Sequence, residues 1–147
     1  SDYRLEKARE LGAAYTVNSG QENLRERIAE ITSGRMVDYS FEAVGLNDTA
    51  VDSIDGLRIG GTAVWIGNAQ KMIEINMQKI VTTELTLRGT YIYTDEDYVE
   101  CIKLIEQRAV DLKSIISVET DLENGPKVFR QLAENKDGRL LKVILKP

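Results

Sequence analysis

Two glycines that follow apolar runs are the residues of this sequence best suited to contact a ligand. Gly45 follows the run 36–44 (MVDYSFEAV), and Gly67 follows the run 62–66 (TAVWI). A backbone that carries glycine can pass close beneath a flat ligand, because no Cβ keeps the two apart. Strand-to-helix turns also favour glycine for structural reasons, so these two residues alone leave both roles open.

The residue types that usually transfer protons or bind zinc are almost missing. The sequence contains no histidine and a single cysteine, Cys101, which we expect on a helix in a packing or surface role. A Ser-His-Asp triad is therefore excluded, and we expect no metal site made by this chain alone. A lone cysteine cannot form an intramolecular disulfide, which fits a reducing, cytoplasmic compartment.

Acidic residues fall into two groups that could be mistaken for sites. Asp38 and Glu42 lie on one predicted strand, and we interpret them as polar residues of the sheet rather than an acid–base pair. Four further carboxylates stand at the start of a predicted helix, where the helix dipole favours negative charge. We expect no metal site among these four, which are Asp95, Glu96, Asp97 and Glu100.

Composition indicates a globular protein without nucleic-acid or membrane partners. Hydrophobic residues make up 42% of the 147 residues and charged residues 29%, which is ordinary for a soluble domain. The net charge is −5 and no dense Lys/Arg cluster is present, so we expect no nucleic-acid partner. No apolar run is long enough to span a membrane, and the charged first ten residues do not suggest a signal peptide.

Elements that would position the glycines alternate along the first half of the chain. Helical spacing of apolar residues predicts helices near 2–11, 24–31 and 47–57. Apolar runs at 14–17, 36–44 and 62–66 predict strands between and after them. This alternation indicates an α/β fold with a mainly parallel, doubly wound sheet, although the pattern begins on a helix with no strand before it.

The second half of the chain predicts a further mixture of helices and strands. Alternation or β-branched content predicts strands at 73–75, 85–93, 115–118 and 140–145. Helices are expected at 76–83, 95–109 and 125–132, the last opened by Gly125-Pro126.

Five segments in a fixed order carry a resemblance to a known family. DYRLEKARELGA, VDYSFEAVG, GGTAVWIG, LTLRGTY and GRLLKVILKP follow one another as in the medium-chain dehydrogenase/reductase family, zinc-containing alcohol and sorbitol dehydrogenase type. The likeness extends over essentially the whole chain. It implies a partial Rossmann-like fold truncated at its N-terminal side, because the family's catalytic domain and GxGxxG phosphate turn would lie before Ser1.

The resemblance also implies a division of the chain. Residues 1–92 correspond to a partial dinucleotide-binding (Rossmann) domain. Residues 93–147 correspond to the C-terminal helix–strand–helix–strand segment that in the family returns to the catalytic domain.

Cofactor contacts on the adenosine and phosphate side are implied at four positions. Arg4 matches a basic position near the adenosine ribose, and Val44 and Gly45 match the loop over the adenosine side. Lys142 matches a cation that reaches the pyrophosphate. An exposed helix arginine and a solvated strand lysine remain the structural alternatives for the two cations.

Nicotinamide contacts are implied at two strand ends. One set lies beside the ring and consists of Ile66, Gly67 and Asn68. The other set offers backbone donors and acceptors to the carboxamide and consists of Thr90, Tyr91 and Ile92. Ordinary strand termini are the alternative for both sets.

As a function, the resemblance implies an oxidoreductase that moves hydride between an alcohol or polyol and NAD(H). NADP is not excluded, since the acidic residue that holds the ribose would lie outside this chain. Zinc would be bound outside this chain too, so we expect the isolated chain to be inactive. A zinc-free, quinone-reductase-like oxidoreductase and a non-catalytic nucleotide-binding or assembly module remain alternatives.

Sheet edges raise a question about pairing. The family's sheet has strand order 3-2-1-4-5-6, in which the strands at 14–17 and 36–44 would be strands 3 and 4. Strands 1 and 2 are not in this chain, so we expect strands 3 and 4 to meet directly, or the chain to pair with a second copy. The strand Leu85–Tyr93 would form the opposite edge, through which we expect a homodimer.

Overall fold

A computed structural model describes all residues, 1–147, as two compact units. One unit is Ser19–Ile92, and the other combines Ser1–Asn18 with Tyr93–Pro147. Ser1–Asn18 thus packs with the C-terminal segment. The division at residue 92 into a dinucleotide-binding domain and a returning segment concerns function, and it stays a prediction.

Six helices and five strands make up the chain. The helices are α1 (Asp2–Glu10), α2 (Leu24–Ile31), α3 (Asn47–Asp55), α4 (Met77–Thr82), α5 (Asp95–Glu106) and α6 (Gly125–Ala133). The strands are β1 (Val37–Glu42), β2 (Leu57–Trp65), β3 (Thr86–Gly89), β4 (Ile116–Asp121) and β5 (Lys142–Lys146). Short 3₁₀ turns lie at Lys113–Ile115 and Leu122–Asn124. No helix combines the length and the apolar character needed to cross a membrane.

A three-stranded sheet forms the centre of the unit Ser19–Ile92. Its order is β1-β2-β3, and both neighbouring pairs are parallel. Phe41 on β1 lies opposite Val64 on β2, which lies opposite Arg88 on β3. The α/β class with a parallel sheet, predicted from the alternation of elements, is confirmed.

Helix α3 covers one face of this sheet and leaves the other face uncovered within the unit. Ala50 and Ile54 of α3 are buried together with Ala63 of β2. On the opposite face, Tyr39 and Phe41 of β1 are 66% and 69% exposed. Parallel sheets are almost always covered on both faces, so this sheet has an apolar surface that an ordinary parallel sheet would bury.

The other unit contains a second, two-stranded parallel sheet made of β4 and β5. Gly125 and Val128 of α6 are buried, and a Cβ on Gly125 would lie 3.6 Å from Leu145 of β5. Amphipathic spacing in α6 therefore places the helix against this sheet as the sequence predicts.

Two predicted strands are not formed. The run 14–17 has no strand partner, so it remains irregular, and the hydroxyl of Thr16 is buried without a hydrogen-bond partner. We expected the strand at 14–17 to pair directly with the strand at 36–44. This prediction is wrong, because β1 pairs only with β2. The run 73–75 fails for a similar reason, since the Glu74 N–H donates to the Asn47 side chain instead of a strand.

Strand β3 is shorter than the predicted strand Leu85–Tyr93. It ends at Gly89, and Ile92 has a left-handed backbone with φ of 60°. Pairing stops at Gly89 because the partner strand β2 ends opposite it at Trp65, and the Ile92 conformation keeps the extended backbone from continuing to Tyr93.

An ion-pair cluster ties the start of β1 to β2. Both guanidinium nitrogens of Arg35 contact the Asp38 carboxylate at 2.7 and 2.9 Å, and Arg58 Nε contacts it at 2.6 Å. Hydrogen bonds from Arg35, then from Arg58, lower the pKa of Asp38 from its usual 3.8 to about 2.

We predict that Asp38→Asn lowers the free energy of unfolding at neutral pH. Because folding lowers the Asp38 pKa, its contribution is fully present above the unfolded-state pKa of about 3.9 and is lost as the pH falls towards 2. Urea unfolding of both proteins between pH 7 and pH 2.5 would measure this. Glu100→Gln, which removes an exposed pair with Lys103, is the control and should change little. If the difference in the free energy of unfolding between the wild type and Asp38→Asn stayed constant down to pH 2.5, this prediction would be contradicted.

Candidate functional site

Three loops lie at one edge of the sheet, because β1, β2 and β3 are parallel and end on the same side. We call this the carboxyl edge. In open parallel sheets, ligands bind beyond the carboxyl ends of the strands. The structure brings eight of the ten predicted site residues to this edge: Val44, Gly45, Ile66, Gly67, Asn68, Thr90, Tyr91 and Ile92.

The loops after β1 and β2 touch through their backbones. An ideal Cβ on Gly45 would lie 2.2 Å from the Asn68 nitrogen, and one on Gly67 would lie 2.1 Å from the Gly45 nitrogen. Real Cβ atoms do not approach this closely, so only glycine fits at either position. Gly45 is required twice over, because its φ of 82° is also left-handed.

Glu42, the last residue of β1, connects both loops. Its Oε1 accepts hydrogen bonds from the peptide N–H groups of Val44 and Gly45, each at 2.8 Å, and from the Thr49 hydroxyl at 2.7 Å. Its peptide oxygen accepts hydrogen bonds from Ile66 N–H at 2.8 Å and Gly67 N–H at 3.1 Å. Five hydrogen bonds therefore converge on a residue that is only 4% exposed.

The ionisation of Glu42 follows from these contacts. Burial by itself raises the pKa of the carboxyl group. Hydrogen bonds from the Gly45 N–H, the Thr49 hydroxyl and the Val44 N–H together outweigh burial and lower the pKa below its usual value. Glu42 is thus ionised at neutral pH, and it bonds to the loops while Asp38 bonds to arginines. The two carboxylates have separate structural partners and do not form an acid–base pair.

A second set of hydrogen bonds secures the loop after β2. The Gln70 N–H donates to the Gly45 oxygen, and the Gln70 Oε1 accepts from the Asn47 N–H, at 2.8 and 2.7 Å. Asn47 is the first residue of α3, and Leu46 occupies the N-cap position. The Asn47 side chain instead accepts the Glu74 N–H at 2.7 Å, because the loop 66–76 folds back over the start of α3.

Sequence analysis missed the role of Glu42, Thr49 and Gln70. A signal for Glu42 exists, since a carboxylate shortly before a glycine turn can accept peptide N–H groups two and three residues further on. Thr49 and Gln70 act across seven and twenty-five residues respectively from Glu42 and Gly45. No local pattern indicates such contacts.

Beyond β3, the chain offers unpaired peptide groups. The Thr90 N–H donates to the Trp65 oxygen at 2.9 Å, and it makes the last hydrogen bond between β3 and β2. The peptide groups of Tyr91 and Ile92 make no hydrogen bond in the protein. Ile92 is β-branched with φ of 60°, a strained conformation of a kind that is common at binding sites.

Apolar side chains surround these free peptide groups. Val44 and Ile66 are 52% and 50% exposed, and Tyr91 and Ile92 are more exposed still. None of the eight residues has an acidic or basic side chain, and no group of three or more His, Cys, Asp or Glu residues in the chain could hold a metal ion. The carboxyl edge therefore combines exposed apolar side chains with peptide groups that have no partner in the protein.

Arg4 and Lys142 belong to the other compact unit. Arg4 lies on α1, and its Nε donates to the Gly138 oxygen at 3.4 Å. Lys142 is the exposed first residue of β5. Their contacts with a ribose and a pyrophosphate stay predictions.

Comparison with known proteins places the chain among dehydrogenases. A family model described as "Zinc-binding dehydrogenase" matches residues 1–107. Sorbitol dehydrogenase of Halalkalibacterium halodurans is 28% identical over 145 residues, which are 98% of this chain and 41% of that protein. D-xylulose reductase of Saccharomyces cerevisiae is 28% identical over 148 residues, 98% of this chain and 42% of that protein.

A similar solved structure is that of 2R,3R-butanediol dehydrogenase from Bacillus subtilis. It is 27% identical and has a TM-score of 0.86, covering 100% of this chain and 42% of that one. The chain thus spans about two fifths of the length of the relatives that it matches.

We predict that Gly67→Ala destabilises the protein by about 1–3 kcal/mol, because the new Cβ would meet loop backbone that has to shift. Gly89→Ala, at the end of the neighbouring strand, is the matched control. A Cβ there meets nothing within 4 Å, so its effect should stay within about 0.5 kcal/mol. Urea unfolding of the three proteins measures both changes, and equal effects of the two substitutions would contradict the loop contact.

Proposed function

This chain belongs to the zinc-binding dehydrogenase family, and we propose that it is the C-terminal, cofactor-binding part of an NAD(H)-dependent alcohol or polyol dehydrogenase. The carboxyl edge carries this proposal. Two glycine loops and one open strand end lie together there, at the position where parallel sheets bind nucleotides. NADP remains compatible with this arrangement.

Each contact at the carboxyl edge fits part of a dinucleotide. Ile66, Gly67 and Asn68 would lie beside the nicotinamide ring, and the free peptide groups of Tyr91 and Ile92 would pair with its carboxamide. A carboxamide needs both a donor and an acceptor, which unpaired backbone supplies. Thr90 would lie at the same strand end.

The adenosine side would be formed by other residues. Val44 and Gly45 would lie over the adenosine, Arg4 would contact the ribose, and Lys142 would reach the pyrophosphate. Arginine suits hydrogen bonding to a ribose or stacking on an adenine, and lysine serves as a point charge for phosphate.

The substrate class comes from the relatives, which are named for sorbitol, xylulose and butanediol. In such an enzyme the nicotinamide exchanges hydride with the alcohol carbon, and zinc polarises the alcohol oxygen. This chain has no histidine and no group of metal ligands, so zinc and the catalytic residues would belong to the part that the relatives have in addition. The chain by itself would be inactive.

The exposed surface supports the view that more protein packs against this chain. Its accessible area is 11257 Å², whereas two independent domains of half its mass would expose about 9,100 Å² together by the usual scaling. The free edge of β1 and the apolar side chains of Tyr39 and Phe41 contribute to this excess. We propose that the remaining part of the enzyme covers them.

We further propose that the enzyme is a cytoplasmic homodimer. Strand β3 pairs only with β2, so its outer edge is free to pair with the β3 of a second copy. Cys101 has no disulfide partner, which agrees with a reducing compartment.

We predict that this chain binds NADH more weakly than about 10 μM, because the phosphate-binding turn of the family lies outside it. Titration of the chain with NADH, followed by the fluorescence of Trp65, would measure this affinity. Trp65 is the only tryptophan and directly precedes Ile66, so its fluorescence reports on the carboxyl edge. Binding tighter than about 10 μM would instead favour an independent nucleotide-binding module.

The location of weak binding can be mapped by ¹⁵N NMR with NAD⁺ at millimolar concentration. Amide shifts should appear at 66–68 and 91–92, and Ile66→Asp should remove them. Ile59→Asp is the matched control, since Ile59 is an exposed isoleucine in the first half of β2, the strand that Ile66 directly follows. Shifts confined to other residues, or none at all, would overturn the assignment of the site.

Dimerisation makes a separate prediction. Arg88→Glu places two carboxylates near each other where two β3 edges would pair, and it should shift sedimentation from dimer towards monomer. Tyr39→Glu, on the opposite edge strand β1, should leave the dimer intact. The reverse pattern would mean that copies pair through β1.

A further inference from the structure

A buried carboxylate at an edge that transfers no protons calls for an explanation. Glu42 is the only charged residue of the chain that is buried. Burial of a charge is costly unless hydrogen bonds compensate for it, and an apolar residue at the end of β1 would avoid this cost. What Glu42 does that an apolar residue cannot is accept three hydrogen bonds through its side chain.

Two loops that belong to different strands meet at Glu42. The carboxylate holds the loop after β1 through Val44 and Gly45, whereas the loop after β2 is held by the peptide oxygen, which any residue at this position would supply, through Ile66 and Gly67. Hydrogen bonds to an ionised acceptor are about twice as strong as those between neutral groups. The charge of Glu42 thus fixes the loop after β1 beside a loop that the sheet backbone already holds.

Thr49 extends the same arrangement into α3. Its hydroxyl donates to Glu42 Oε1 at 2.7 Å and lies 3.3 Å from the Leu46 N–H, which donates to it. The first turn of α3 is therefore fixed relative to the loop after β1. All three donors to the carboxylate are uncharged, so none of them depends on pH in the neutral range.

The contact between Gly45 and Gly67 leaves no freedom for the two loops to drift closer. If the hydrogen bonds to the Glu42 carboxylate are lost, the loop after β1 can only move away from, or slide along, the loop after β2, which the peptide oxygen still holds. Val44 and Ile66, which stand on these loops with half of their surface exposed, would then lose their spacing.

We propose that Glu42 is a positioning residue for the dinucleotide: it holds the loops after β1 and β2 in the one relative arrangement in which both contact the cofactor. This inference rests on the proposed function, since it assumes that the carboxyl edge binds NAD(H). The Glu42 Oε1 accepts three hydrogen bonds from neutral donors, and the residue acts on the cofactor through the loops that it holds.

The test compares four variants of the 147-residue chain. Glu42→Ala removes the acceptor, and Glu42→Gln keeps an oxygen but removes the charge. Thr49→Val removes only one of the three donors, so we expect it to destabilise the fold less than the Glu42 variants. Asp38→Asn is the control, because it removes a carboxylate from the same strand that bonds to Arg35 and Arg58 instead of the loops.

Two measurements are made on each variant. Amide hydrogen exchange without cofactor reports whether the N–H groups of Val44 and Gly45 stay protected, with Ala63 at the centre of β2 as the reference for global folding. NMR titration with NAD⁺ then reports binding at 66–68.

We expect exchange at Val44 and Gly45 to rise at least about tenfold in Glu42→Ala, because two buried donors lose their acceptor. Protection of Ala63 should be retained. The NAD⁺-induced shifts should be lost in Glu42→Ala and weakened about threefold in Thr49→Val. Glu42→Gln should lie between Glu42→Ala and the wild type. Asp38→Asn, although less stable overall, should match the wild type in the NAD⁺-induced shifts and in the exchange at Val44 and Gly45 relative to Ala63.

The possible results distinguish a failure of this inference from a failure of the assignment on which it rests. Wild-type shifts that persist unchanged in Glu42→Gln and Thr49→Val would overturn the role of Glu42 alone, even if Glu42→Ala fails to fold. Equal losses in Asp38→Asn would also overturn it, since they would show a general effect on the strand. Absence of any shift in the wild type would instead overturn the assignment of the carboxyl edge as the cofactor site, on which this inference rests.

Discussion

Contact between two peptide backbones, at Gly45 and Gly67, is the constraint on which the carboxyl edge depends. Each Cβ position is already occupied by backbone atoms of the other loop at little more than 2 Å. The loops after β1 and β2 therefore meet in a single arrangement, and Glu42 supplies the hydrogen bonds that keep them there. The surface of the edge therefore consists of peptide groups of the two loops, and the apolar side chains of Val44 and Ile66 are exposed next to them.

The parallel sheet could be predicted from the sequence because its signals are local. The apolar run 62–66 and the glycines that follow the strands fix the centre of the sheet and its turns, and the helices between them follow from periodicity. The edge itself could be predicted too, since the carboxyl ends of parallel strands share one side. Eight of the ten candidate residues lie at that edge for this reason.

What could not be predicted depends on partners that sequence patterns do not specify. Residues 14–17 have strand composition but no neighbouring strand, so their peptide groups have no ladder to join. The predicted strand 85–93 ends early because its partner β2 ends at Trp65, opposite Gly89, and Ile92 then adopts a left-handed backbone that composition does not foresee for a β-branched residue. The hydrogen bonds of Gln70 and Thr49 depend on where loops fold back, and that becomes visible only in three dimensions.

Interlocking of the two glycine loops also limits how the protein can vary in length. A residue inserted between Glu42 and Gly45, or between Trp65 and Gly67, would move a glycine out of the contact and bring a side chain against the opposing backbone. A second change in the opposing loop could not compensate for the insertion, because the backbones of both loops are already in contact. We expect changes in length to be tolerated instead in segments such as 71–76, which leave the crossing point of the two loops untouched.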